Sequence, residues 1–242
     1  MILEDLLDSF LDCVPFLHRE VALALLCQSV SEDINILLVC DPGIPVDFIS
    51  GKVGQLGGSV KPVILASDSR IDPFSPISEF IMMDSFRLRS FDLVFYVRDI
   101  PDEEKDFRVV EAMLEDKDFE GFELGSDSVV LNSEANAELK YFYAGLRSQN
   151  RIIVSITPAK IQTLEKLSWA CARIKGKSEA GVEEAREAIG VVKFFLTLTA
   201  VDPKTGLIDI DRVQTDITPQ ELLDRNEYME DYYYSFLPDK DK

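Results

Sequence analysis

The stretch Asp33–Val53, DINILLVCDPGIPVDFISGKV, constrains the fold more than any other part of this chain. Ile34, Ile36, Leu37, Leu38 and Val39 form a short apolar strand. A turn follows at Asp41-Pro42-Gly43, and Phe48, Ile49 and Val53 then recur at helical spacing. Strand, glycine turn and helix is the layout of a phosphate-binding loop, in which backbone N–H groups and a helix N-terminus hold the anion. A working loop reads G-x-x-x-x-G-K-[ST]. Here the residues are Cys40-Asp41-Pro42-Gly43-Ile44-Pro45-Val46-Asp47. Val46 stands at the lysine position, and Asp47 at the magnesium-binding hydroxyl.

Those replacements have a cost that can be sized. Val46 forfeits a charge-assisted contact of about 1.5–3 kcal/mol. Asp47 sets a like charge near the phosphates, worth up to ~4 kcal/mol at ~4 Å and an effective dielectric of ~20. Pro45 deletes one backbone N–H. Together they imply a loss of about three decades of affinity or more.

Several stretches resemble the MCM replicative helicases. INILLVCDPG is similar to the Walker A strand of archaeal MCM proteins, which read close to INVLLVGDPGTAKS. His18–Val30 is similar to the family segment before that strand, with Phe16-Leu17-His18-Arg19-Glu20 in place of its tight glycine turn. Phe91–Glu104, FDLVFYVRDIPDEE, is the clearest match, to the family's FDLIFVLRDxPDEE. VLNSEANAELKYFYAGLR, residues 130–147, resembles a lid helix of the family. The run Asp202–Asp211, DPKTGLIDID, is close to the one that follows the lid in archaeal members. The resemblance reaches from about residue 11 to 217. The family's OB-fold half and winged helix have no counterpart in it.

The resemblance implies an α/β fold: a truncated P-loop NTPase (AAA+) three-layer fold with a short parallel sheet, plus an all-α lid domain. Only about a dozen residues separate the P-loop helix from the next strand, so the interval that carries Walker B and the DNA-gripping hairpins in the family is missing. The family's strand order 5-1-4-3-2 is then reduced to 5-1-4, with strands near 34–40, 60–67 and 91–97 and the P-loop strand in the middle. Residues 1–115 are expected to form the degenerate core, 116–200 the helical lid, and 201–242 an acidic tail with Tyr228, Tyr232, Tyr233 and Tyr234.

The pattern along the chain predicts helices over 2–12, 18–30, 102–115 (Phe107, Val110, Met113 and Leu114 inward), 132–147, 158–174 (Thr157 as cap) and 182–198. Ser178 starts the last of these, and Ile189, Val192, Phe195 and Leu196 face the lid core. Asp116–Ser128 reads as an acidic loop.

The resemblance also assigns the nucleotide-chemistry positions. The degenerate Walker A is Asp41, Pro42, Gly43, Ile44, Pro45, Val46 and Asp47. Sensor 1 falls on Asp68 in place of asparagine. The arginine finger falls on Ser90, with Arg89 one residue early, and sensor 2 on Ala159, with Lys160 next to it. The expectation is a catalytically inactive homologue with no catalytic residue and no metal, in which the family's ATP and Mg²⁺ are lost. It would act through contacts with replication proteins or another MCM protein. Two other readings stand beside it. One is a weak nucleotide- or DNA-binding protein in which Lys52, Lys61, Arg89 and Lys160 supply replacement charge; basic residues gathered on one surface would favour it. The other is a relic with no current role.

Composition narrows the partners. The 242 residues carry a net charge of −19, which opposes a broad basic face for nucleic acid and makes DNA binding weak or absent. Apolar residues make up 46% of the chain, enough for a core, yet no run approaches the ~18–20 residues of a membrane span. The N-terminus is acidic, unlike a signal peptide. These features read as cytoplasmic, nucleoid-associated at most. With Val46 and Asp47 on one side and Ser90 on the other in place of the groups that hold nucleotide between family subunits, the chain is expected to be a monomer, with at most a weak dimer. Cys13, Cys27, Cys40 and Cys171 are scattered in apolar contexts and read as core residues. The single histidine, His18, reads as a surface or cap residue.

Overall fold

The computed structural model describes residues 3–31, 33–72, 75, 77, 80–83, 85–119, 128–148, 158–202 and 205–209. Thr157, most of the loop 116–128, and the tail beyond residue 209 with its tyrosines lie outside the described residues.

Leu3, Leu6, Leu7 and Phe10 bury one stripe of helix α1, Leu3–Cys13, which stops two residues short of Pro15. Helix α2, Arg19–Val30, is apolar on nearly every side, and its residues Val21 to Val30 are all buried. An all-round apolar helix must sit centrally; α2 touches α1, strand β1 (Ile36–Cys40), and helices α7 (Ala159–Ile174) and α8 (Val182–Phe195).

Strands β1 (Ile36–Cys40), β2 (Val63–Ala66) and β3 (Leu93–Val97) form a parallel sheet in the order β2-β1-β3. Leu37 pairs with Val63 on one side and Val94 on the other. The expected strands and the central place of β1 are therefore as read from the sequence. Each strand starts two or three residues later than expected. Pro62 lacks the N–H that would extend β2, and Asn35 and Asp92 are tied to each other instead, Asp92 N donating to Asn35 O and Asn35 N to Asp92 Oδ2. Every residue of β1 and β3 is buried, whereas β2 is a partly exposed edge.

Helix α3 (Val46–Gln55) follows β1. After it, Gly58 at φ +76° runs so close to α2 that a Cβ there would lie 2.4 Å from Ser29 O, so only glycine fits. A short helix α4 (Ser85–Leu88) precedes β3. Helix α5 (Glu103–Glu115) is capped by the Asp102 carboxylate, which accepts from Lys105 N at 2.9 Å. One expectation fails here. Phe107, Val110, Met113 and Leu114 are not inward; they are 73, 54, 44 and 82% exposed, and Ala112 is the buried residue of the helix.

The lid contains α6 (Ser133–Ser148), capped by Asn132 Oδ1 on Ala135 N, α7 (Ala159–Ile174) and α8 (Val182–Phe195). Ile189, Val192, Phe195 and Leu196 are buried, as the spacing predicts. Ser178 does not start α8. Strand β5 (Glu179–Ala180) lies there and pairs in parallel with β4 (Val130–Leu131), and Gly181 is the residue before the helix. The end of α8 widens into a π-turn over Leu196–Ala200, and Val201 then bridges Ile208.

All four cysteines are free and buried, as expected of core residues; burial pushes the Cys40 thiol up to about 12. His18 occupies the exposed position before α2, its ring 5.1 Å from that of Phe194. No helix among the described residues is long and apolar enough to cross a membrane.

Candidate functional site

In open parallel sheets, ligands bind beyond the carboxyl ends of the strands. Two of the predicted site regions, the Asp41–Asp47 turn and Asp68, lie at that edge. The turn after β1 is closed by Ile44 N donating to Asp41 O at 3.1 Å, with Gly43 at φ +100°, and Ile49 N bonds Pro45 O to begin α3. Val46 is half-buried against the core, while Pro42 and Asp47 face solvent in the turn and in the first turn of the helix.

Asp41 does not face a ligand. It is 1% exposed, and its carboxylate is filled by backbone. Oδ1 accepts from Ile71 N at 2.6 Å, and Oδ2 from Asp99 N at 2.9 Å. Asp41 N itself donates to Val97 O at 2.9 Å. One side chain thus ties the ends of all three strands. Asp68 lies just beyond β2 at the same edge, its side chain exposed and its N–H bonded to Phe80 O. The neighbouring Ser67 is buried, with Oγ 2.9 Å from Cys40 O.

Arg89, Ser90, Ala159 and Lys160 lie at the opposite edge. Arg89 and Ser90 are exposed in the turn between α4 and β3, with Ser90 Oγ donating to Arg87 O. Ala159 is exposed at the start of α7. Lys160 is buried and donates to Asp92 O at 2.6 Å, with its ammonium 5.0 Å from the Phe195 ring centre. The five residues of β3 separate the two groups by about 16 Å at a strand's rise per residue. Within one chain, then, the expected sites do not converge.

Asp92 is the residue that sequence reading missed at this edge. Its Oδ1 accepts from Thr163 Oγ1 at 2.9 Å, its Oδ2 from Asn35 N at 3.0 Å, and Lys166 Nζ lies 3.8 Å from Oδ2. It joins the sheet to α7, and its place in the FDL run was the available signal. Burial lowers Lys160 to about 8, with Asp92 acting in the opposite sense.

The other basic candidates are dispersed. Lys52 is buried and bonds Asp116 Oδ1 and Lys117 O, both at 2.7 Å. Lys61 caps the end of α3 through Gly57 O and Gly54 O. Beside the carboxyl edge lies a cavity of about 250 Å³, bordered by Phe16, His18, Tyr96, Arg98, Lys105 and Leu198. Neighbouring protein atoms exclude part of the solvent around the His18 ring, and this desolvation, then Lys105, lowers its pKa. Arg98 Nε is buried and meets no hydrogen-bond partner among the described residues. No group of His, Cys, Asp or Glu among the described residues could hold a metal ion.

A three-stranded parallel sheet with a glycine turn after its central strand, joined to an all-α unit, defines a P-loop NTPase-like fold with a lid. The lid is also where a known family is found: residues 127–196 match the MCM AAA-lid domain. The wider chain is 26% identical over 187 residues to DNA replication licensing factor MCM4 of Arabidopsis thaliana, covering 67% of this chain and 22% of that protein. It is 25% identical over 171 residues to an uncharacterized MCM-type protein of Methanocaldococcus jannaschii, covering 58% and 28%. To the minichromosome maintenance protein MCM of Saccharolobus solfataricus it is 27% identical over 159 residues, covering 58% and 23%. The chain is thus distantly homologous to MCM-family proteins and matches about a quarter of the length of these relatives.

Proposed function

We propose that this chain is a catalytically inactive MCM-like AAA+ module, linked to DNA replication, that acts through contacts with other proteins. The observation that carries this reading is the start of α3, where Val46 is half-buried at the lysine position and Asp47 is exposed in the first turn. The Asp41 carboxylate beside it takes up backbone N–H groups at the strand ends and is not free for a ligand. Val46 offers no charge to a phosphate. Asp47 sets a carboxylate in the first turn of α3, where the helix dipole favours an anion and the side chain supplies it already. Lys52 and Lys160 are turned to internal partners, which supports protein contacts over a basic ligand-binding surface. We also read the chain as an archaeal, cytoplasmic monomer with at most weak affinity for DNA. The DPKTGLIDID run and the net charge of −19 support that reading.

Calorimetric titration of ATP, with and without Mg²⁺, tests this together with a phosphate-release assay. No saturable binding tighter than about 1 mM and no turnover are expected. Turnover that disappears in Asp68→Ala or Arg89→Ala would overturn the reading.

The cavity favours a second reading. Arg98 and Lys105 border it at the edge where ligands of such sheets bind. Residual nucleotide binding there would be weakened by Arg98→Ala and by Lys105→Ala, and would not need Mg²⁺.

A further inference from the structure

Helix α5 carries its large apolar residues on the wrong side for a core. Phe107, Val110 and Leu114 stand at i, i+3 and i+7, one stripe of a helix, and all three are more than half exposed. Exposed apolar residues are ordinary when scattered; a continuous stripe of large ones marks a contact surface. The stripe is bordered by acids. Glu103, Glu104, Asp106 and Glu111 are all exposed. The two basic residues of the helix are engaged away from it: Lys105 borders the cavity, and Arg108 Nη2 lies 3.6 Å from Asp12 Oδ1 on α1.

We propose that the outward face of α5 docks an amphipathic helix of a partner protein whose apolar stripe is flanked by lysine and arginine. This rests on the reading that the chain works through protein contacts, and it names the kind of partner. Charge decides among the possible occupants. A second copy would bring the same acidic borders together on two bodies of charge −19 each. The chain's own residues 210–242 carry nine Asp and Glu against four Lys and Arg, so they too are repelled. A basic helix instead places cations beside Glu103 and Glu111 while its apolar ridge packs on Phe107, Val110 and Leu114. Electrostatic complementarity of this kind speeds encounter and selects the partner, and the buried apolar residues set the lifetime.

The test uses the full 242-residue chain and a fluorescein-labelled synthetic peptide of about 18 residues, with leucines at i, i+3, i+4 and i+7 flanked by lysines. A peptide with glutamates at the flanks is the control. Fluorescence anisotropy at low and moderate salt should show saturable binding of the lysine peptide alone. Phe107→Ser with Leu114→Ser should weaken it by about tenfold or more. Glu103→Lys with Glu111→Lys should weaken it and flatten its salt dependence. Thermal melts by circular dichroism check that the variants fold, as substitutions at exposed positions should allow. Equal binding by the Phe107→Ser/Leu114→Ser variant would mean mere attraction to an acidic protein and would overturn the proposal, as would no binding. A dimer dissolved by the same substitutions would make the occupant a second copy, and a tenfold gain on deleting residues 210–242 would make it the tail; either overturns it. Failure here leaves the nucleotide measurements untouched, so the two readings fall separately.

Discussion

The Asp41 carboxylate accepts the backbone N–H of Asp99 at 2.9 Å, so a side chain at the end of β1 holds the chain as it leaves β3. Its other oxygen holds Ile71 beyond β2. A buried anion of this kind is satisfied by the two neighbours that flank it in the sheet.

Asp41→Ala should therefore destabilise the protein by about 3 kcal/mol, because two backbone donors lose a charged acceptor. Asp41→Asn keeps one acceptor oxygen but turns an NH2 donor against the other backbone N–H, so it should destabilise about as much as the alanine variant. Urea denaturation measures both. A cost under about 1 kcal/mol for the alanine variant would show that water replaces the staple.

Lys160 gives stability an alkaline dependence of definite sign. Burial lowers it to about 8 from an ordinary 10.5. Between those values the unfolded chain binds the proton that the folded chain has lost, so stability rises with pH through this window. The gain is limited to about 1.4 kcal/mol per pH unit. The neutral amine still donates to Asp92 O. The difference in urea midpoint between the native chain and Lys160→Met should grow from pH 8 to pH 10.5, and a flat difference would refute it.

In the lid, Lys175 lies 3.0 Å from both Glu183 and Glu184 and 3.1 Å from Glu187, and Glu184 is 1% exposed. Desolvation pushes Glu184 up, but bonds from Lys177, Lys175 and Gly181 N outweigh it and hold its pKa down at about 2. This contribution is complete above the ordinary 4.5 and is lost as pH falls toward about 2. Lys175→Met should cost about 3 kcal/mol, since Lys177 still pairs with Glu184. It should also move the acid-unfolding midpoint upward, as followed by circular dichroism.

The sheet was legible because β1 and β3 are buried throughout and so read as apolar runs, and the FDL and DPG stretches placed them in a known order. The lid was legible from helical spacing and from the Asn132 cap. Strands β4 and β5 were not, since two residues carry no periodicity. Helix α5 misled for a different reason. Apolar residues at helical spacing predict one shared face and say nothing of what that face meets. At the site, the sequence placed Val46 and Asp47 where the resemblance expects a lysine and a hydroxyl. It could not show what Asp41 does instead, because its partners are 30 and 58 residues away. Lys160 was noticed by position; its partner Asp92, 68 residues back, was visible only in three dimensions.

Asp92 also changes what the lid can be mechanically. Thr163, Lys160 and Lys166 all reach one residue at the start of β3, and Lys166 also donates to Asp33 O at 2.5 Å. Rotating α7 about its first turn would tear these fasteners from the sheet and pull the Lys160 ammonium off the Phe195 ring. A helix held at its pivot cannot serve as a lever. It transmits load directly to the sheet, as a brace does, and a pull on the lid is a pull on β1 and β3 as well.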